Sequence, residues 1–132
     1  MIAGVGMDLV SLADFEQLLE PGSAFMTGTF TAAELSDHTA TPVPQRLAAR
    51  YAAKEAFLKA WSVARVGSPP ALPSLDMREI EVRSDRWGRP ELCVRGKAAA
   101  AVAESLGPVR VHLSLSHEPA TAGAVVVLER VS

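Results

Sequence analysis

The segment Arg46–Ser62 constrains the fold more than any other part of the chain. It contains no glycine or proline and is rich in alanine and leucine, so helix propensity is high throughout. Leu47, Ala48, Ala49, Tyr51, Ala52, Ala53, Ala56, Phe57, Leu58, Ala60 and Trp61 place apolar side chains all round that helix. A helix of this kind must be buried on most sides, so the rest of the chain has to wrap it. With 132 residues, 48% of them hydrophobic and 21% charged, the chain suits one globular domain spanning residues 1–132. Five charged residues break the apolar pattern. Glu55 and Lys59 are four apart in the favourable order, and Arg46, Arg50 and Lys54 form a second row at the same spacing. The Glu55–Lys59 spacing fits a solvent-facing ion pair. It also fits charge held inside an apolar setting, which needs a partner or a ligand.

The remaining elements follow from periodicity and punctuation. Ile2–Val10 reads as a strand, and Ser11 opens a helix that runs to Leu19 before Pro21-Gly22. Thr31-Ala-Ala-Glu34 is a capping box starting a brief helix, and Ser36–Gln45 reads as loop. Val63–Ser74, with three prolines, is loop. Glu79–Ser84 and Glu91–Arg95 form a hairpin about the turn Asp85–Pro90. Lys97–Leu106 is helical and stops at Gly107-Pro108. Val109–Ser116 alternates apolar and polar residues, His117–Gly123 turns, and Ala124–Val131 is a last strand. This order predicts an α+β fold with helices packed on a mostly antiparallel sheet.

Composition excludes several classes. One cysteine, Cys93, rules out a disulfide framework and any multi-cysteine metal site. No apolar run approaches a membrane span, and Met1–Val10 lacks a basic leader and carries Asp8, so the chain reads as soluble and cytoplasmic, with no membrane partner. A net charge of −2 gives no reason to expect nucleic acid. The distribution is more telling: residues 1–45 hold six acids and no Lys or Arg, and all thirteen basic residues follow. Such a two-toned chain suits anion binding by one half, although scattered solvated charge has the same counts. No P-loop, G-x-G-x-x-G or G-x-S-x-G motif is present.

Two further features carry chemistry. Gly4, Gly6 and Asp8 share one face of the first strand, which leaves space for close approach beside a carboxylate. Ser116-His117 closes the alternating strand at a sheet end, where ligands commonly sit; His38 and His112 have no partner at metal spacing and read as structural. Two carboxylates with few other ligands suit Mg²⁺, which completes its octahedron with phosphate oxygens and water. Basic residues beside such a site suit a polyphosphate.

Gly4-Val-Gly-Met-Asp-Leu-Val10, Arg50-Tyr-Ala-Ala-Lys-Glu-Ala-Phe-Leu-Lys-Ala60, Trp87-Gly-Arg-Pro90 and His112-Leu-Ser-Leu-Ser-His117 together resemble the holo-acyl-carrier-protein synthase family of short 4′-phosphopantetheinyl transferases. The resemblance implies that fold and its reaction: Mg²⁺-dependent transfer of the phosphopantetheine arm of coenzyme A to a serine of an apo acyl carrier protein, in support of fatty acid biosynthesis. It implies Asp8 and Glu55 as Mg²⁺ ligands and Glu55 with Lys59 as catalytic, Lys59 also meeting the pyrophosphate. Arg46 and Arg50 match positions near the coenzyme A phosphates. Gly88, Arg89 and Pro90 match the turn bordering adenine, and Ser116 with His117 the segment near the 3′-phosphate. The serine proton would pass to Glu55 or to a metal-bound water. The first helix offers Asp14, Glu16 and Glu20 where relatives often carry Arg or Lys to dock an acidic carrier.

The family also implies a homotrimer with sites between chains. Val109, Val111, Leu113 and Leu115, with Ala124–Leu128, supply more apolar strand surface than three short helices easily cover, which fits a partner. The competing readings are a non-catalytic module that binds coenzyme A and a structural subunit; Glu55 and Lys59 argue against both.

Overall fold

The computed structural model describes residues 1–36 and 43–131. Asp37, His38 and the middle of the expected loop Ser36–Gln45 lie outside those residues. Among the described residues, five strands and five α-helices run in the order β1 (Ile2–Ser11), α1 (Leu12–Glu16), α2 (Ala24–Thr29), α3 (Ala32–Ser36), α4 (Val43–Val63), β2 (Ile80–Ser84), β3 (Pro90–Val94), α5 (Gly96–Leu106), β4 (Val109–Glu118) and β5 (Thr121–Arg130). A 3₁₀ turn, Met77–Glu79, precedes β2. The α+β reading holds, and every ladder is antiparallel, but the strands form two sheets: β1-β5-β4 and the β2-β3 hairpin.

Several boundaries move for local reasons. α4 begins at Val43, inside the expected loop, because Pro44 falls in the first turn, where its missing N–H costs nothing. The first helix ends at Glu16 rather than Leu19. The unanticipated α2 starts where Ser23 Oγ accepts from Met26 N at 3.2 Å. β4 continues through His117 to Glu118, and only Pro119 and Ala120 separate it from β5.

β1 packs on α4 through its glycines. Gly4 and Gly6 are buried on the inward face, and a Cβ built on either would overlap the carbonyl oxygen of Ala60 or Ala56. The space predicted beside Asp8 is thus filled by the α4 backbone, not by a ligand. Behind this contact lies the main core, in which Phe57 and Trp61 meet Ile80, Val82, Leu92, Val102, Leu106, Val126 and Leu128. A second cluster, with Leu12, Phe15, Phe30 and Leu47, sits under α1–α3.

The apolar strand face expected to meet a partner is partly covered by the core. Val109, Val111, Leu113 and Leu115 pack against the main core, as do Ala124, Val126 and Leu128. The open apolar face is the reverse side of the same sheet, where Val5, Met7 and Leu9 of β1 and Val125 of β5 are exposed. Met7 pairs with Val125 in register, so these side chains adjoin.

Glu34 ties the helices to the hairpin. Its capping box is formed as expected: Thr31 N donates to Oε1 at 2.9 Å and Glu34 N donates to Thr31 Oγ1 at 3.1 Å. The same Oε1 accepts from Lys54 Nζ at 2.9 Å, and Oε2 accepts from Val82 N at 2.9 Å. Lys54 also donates to the carbonyls of Met77 and Ile80. Both side chains of the Lys54–Glu34 pair are fully inaccessible to solvent. Burial pulls the Lys54 ammonium below its ordinary pKa, while the Glu34 carboxylate pulls the other way. Removing one partner strands a buried charge, so Lys54→Met should cost about 3–5 kcal/mol of stability in urea unfolding. A loss below about 1 kcal/mol would contradict the assignment of this pair as a structural pin.

Candidate active site

The site is built where the inward face of β1 meets α4. Asp8 follows Gly4 and Gly6 on that face and stands opposite Ala124 of the central strand. Its side chain is 15% exposed, enough to meet solvent at the rim. Lys59 lies one helical turn beyond Glu55. Its Nζ donates to Asp8 Oδ1 at 2.9 Å and to the Met7 carbonyl at 3.1 Å. The lysine therefore pairs across to the strand rather than back to Glu55 along the helix.

Glu55 is half-buried and lies one helical turn after Tyr51. Burial is the largest cause pushing the Tyr51 hydroxyl above its ordinary pKa; the nearby carboxylates of Glu55 and Asp8 add to it. Glu55 and Lys59 share one face of α4 at a spacing of four, and Lys59 holds Asp8.

The basic row of α4 divides. Arg46 is 4% exposed and donates through Nη1 to the Glu34 carbonyl at 2.7 Å, which turns it into the protein. Arg50 is equally buried and reaches Ser84 Oγ at 3.4 Å, linking α4 to the end of β2 beside the hairpin turn. In that turn Asp85 Oδ1 accepts from the backbone N–H groups of Trp87 and Arg89, both at 2.9 Å. Gly88 adopts φ 84°, a conformation that favours glycine. Arg89 folds back on Asp85 Oδ2 at 2.7 Å and over the Trp87 ring, so Gly88, Arg89 and Pro90 form a pre-shaped tip with an exposed indole.

Ser116 and His117 are exposed at the end of β4, paired with Gly123 and Ala122. Successive strand residues face opposite ways, and only His117 shares the face of Asp8. The two segments lie on the outer strands of one sheet, with β5 between them, about 10 Å across. The structure therefore pairs Asp8 with Lys59, sets Glu55 one helical turn before that lysine, carries Arg50 to the hairpin, and leaves Ser116 and His117 apart from Asp8 within one chain.

Among the described residues no cluster of three or more His, Cys, Asp or Glu could hold a metal. Asp8 and Glu55 offer a hard, all-oxygen pair of carboxylates. Such a donor set fits a Mg²⁺ ion whose other ligands are water and phosphate, and it does not fit a closed zinc site.

Residues 4–116 match the family described as ACPS, the 4′-phosphopantetheinyl transferase superfamily, and the chain belongs to it. Within that superfamily the chain is similar to the holo-[acyl-carrier-protein] synthases. It is 48% identical to that of Mycobacterium tuberculosis (strain H37Rv) over 131 residues, 97% of each chain. The Mycolicibacterium smegmatis synthase is 47% identical over the same span. Among solved structures, the Chronobacterium ammoniagenes ACPS–CoA complex superposes with a TM-score of 0.89 at 42% identity, covering 98% of both chains. The Mycobacterium tuberculosis acyl carrier protein synthase superposes at 0.77 with 43% identity and the same coverage. The chain is accordingly an enzyme of the phosphopantetheinyl transferase class.

Proposed function

We propose that this protein transfers the 4′-phosphopantetheine arm of coenzyme A to a serine of an apo acyl carrier protein, with Mg²⁺ held by Asp8 and Glu55, in the cytoplasm and in support of fatty acid biosynthesis. The observation that carries this reading is the Lys59–Asp8 pair at the β1–α4 contact, with Glu55 one helical turn before Lys59. The family match and the relative solved with CoA support the substrate. Among the described residues no helix is long and apolar enough to cross a membrane, which is compatible with the location proposed.

The serine oxygen attacks the phosphorus that bears pantetheine. The P–O bond to the adenosine-side phosphate breaks, and adenosine 3′,5′-bisphosphate leaves as the serine loses its proton. Bound Mg²⁺ supplies charge neutralisation for the pyrophosphate. Lys59, half exposed beside Asp8, is placed to meet the leaving phosphate. Glu55 is the protein group at hand to take the serine proton. Arg50 and the tip Gly88–Pro90 would border the nucleotide, with Ser116 and His117 at its 3′-phosphate. Arg46, already bonded to Glu34, would act on the phosphates only through the position of its helix.

Three expectations test this. Glu55→Gln should lower turnover roughly a hundredfold or more, with the fold intact by circular dichroism. Near-normal turnover at ordinary Mg²⁺ levels would sink the metal assignment. His117→Ala should weaken coenzyme A binding about tenfold or more and spare the chemical step. An undiminished preference for coenzyme A over its 3′-dephospho form would remove His117 from that role.

The third concerns assembly. Ser116 and His117 do not reach Asp8 within a chain, and the open face of Val5, Met7, Leu9 and Val125 suits contact with further copies. A homotrimer with sites shared between chains accounts for both. Light scattering should report three copies at assay concentration. A fully active monomer would refute the trimer.

A further inference from the structure

The loop after α4 carries Pro69, Pro70 and Pro73, and nothing in the proposed reaction accounts for it. With the end of α4 it walls an open cavity of about 390 Å³. Leu58 and Trp61 from the helix and Leu72 and Leu75 from the loop give that cavity an apolar lining. Both walls are held in place. Trp61 Nε1 donates to Ser105 Oγ at 3.0 Å, which fixes the indole to α5. Leu58, Leu72 and Leu75 pack against the main core. Proline has a locked φ, so a loop built on prolines is less free to fall into the space beside it. The volume and the apolar lining are those of a small-molecule site.

One charged side chain stands in this lining. Arg65 lines the cavity, and no aspartate or glutamate does. Among the described residues its one side-chain hydrogen bond runs from Nη2 to the Pro69 carbonyl at 2.7 Å, and no carboxylate pairs with it. Arg65 Nε is buried and has no partner among the same residues. Asp76, just beyond the loop, is already held by Arg78, which donates to Oδ1 at 3.0 Å and to Oδ2 at 2.9 Å. A buried N–H left unpaired costs stability, and charge beside apolar walls adds to that cost. Arg65 follows the C-terminal end of α4, whose partial negative charge offsets only part of it.

The ligand that suits such a cavity has one negative charge and an apolar tail. A hydrocarbon would leave the guanidinium unpaired, and a polyphosphate would set further charges against leucine and tryptophan. A carboxylate matches the guanidinium fork with two hydrogen bonds. We propose that the cavity binds a medium-chain carboxylic acid, its carboxylate on Arg65 and its alkyl chain along Leu58, Trp61, Leu72 and Leu75. None of Asp8, Arg50, Glu55, Lys59, Gly88 and His117 lines the cavity, so this site is additional to the one described above.

The test is calorimetric titration of the full-length protein with decanoate, using decanol as the neutral control of the same chain length. Decanoate should bind the parent protein. Arg65→Gln should weaken decanoate about tenfold or more and leave decanol within about twofold. Leu72→Trp, which fills the cavity and keeps the arginine, should lose both ligands. Circular dichroism checks that each variant folds, and decanoate should raise the melting temperature of the parent but not of Leu72→Trp. Equal weakening of decanoate and decanol in Arg65→Gln would refute the pairing of the carboxylate with Arg65. Decanoate binding that neither substitution alters would put the acid elsewhere on the molecule and overturn the proposal, as would a parent protein that binds no decanoate. Every readout is binding, so such a failure leaves the transferase reading untouched.

Discussion

The contact of β1 with α4 is made by backbone on backbone, and the rest of the structure depends on it. Gly4 and Gly6 have no side chain to hold the strand away, so it approaches the helix until Ala56 and Ala60 carbonyls meet the glycine Cα positions. No other residue type fits there. The consequence appears two residues later: Asp8, next on the same face, is delivered to the flank of α4 at the height of Lys59. A longer strand-to-helix distance would leave Asp8 and Glu55 as two unrelated surface carboxylates. The glycines thus belong to the site although they carry no chemistry.

A single helix serves two purposes by carrying two rows of polar residues at four-residue spacing. The row Arg46, Arg50, Lys54 turns inward and ties α3, β2 and the hairpin to the helix through Glu34 and Ser84. The row Tyr51, Glu55, Lys59 turns toward β1 and α1. Rows at 3.6 residues per turn stay separated along the whole helix, so structural charge and chemical charge do not compete. The buried Lys54–Glu34 pair has a desolvation cost that its hydrogen bonds only offset. What it achieves is placement, because Glu34 fixes α3 against Val82 and sets the direction from which the hairpin reaches Arg50.

Much of this was legible in the sequence. Thr31–Glu34 formed its capping box because that signal is local, and the α4 helix followed from propensity and the absence of breakers. Asp8, Glu55 and Lys59 stood out because charge in apolar segments demands an explanation. The pairings themselves were not legible. Lys54 finds Glu34 across twenty residues and Lys59 finds Asp8 across fifty-one, and periodicity carries no information at such separations. The exposed outer face of the sheet, with Val5, Met7, Leu9 and Val125, was not legible either. Alternation shows which residues share a face but not which face the helices cover.

The central claim is that Asp8 and Glu55 form one divalent-metal site, set by the β1–α4 contact and completed by coenzyme A. The most direct measurement is anomalous diffraction from crystals grown with coenzyme A and Mn²⁺. The account predicts one strong peak bridging the Asp8 and Glu55 carboxylates and a pyrophosphate oxygen, with Lys59 Nζ moved from Asp8 toward the phosphate. A Mn²⁺ peak away from both carboxylates, with Lys59 still bonded to Asp8 in the presence of coenzyme A, would contradict it.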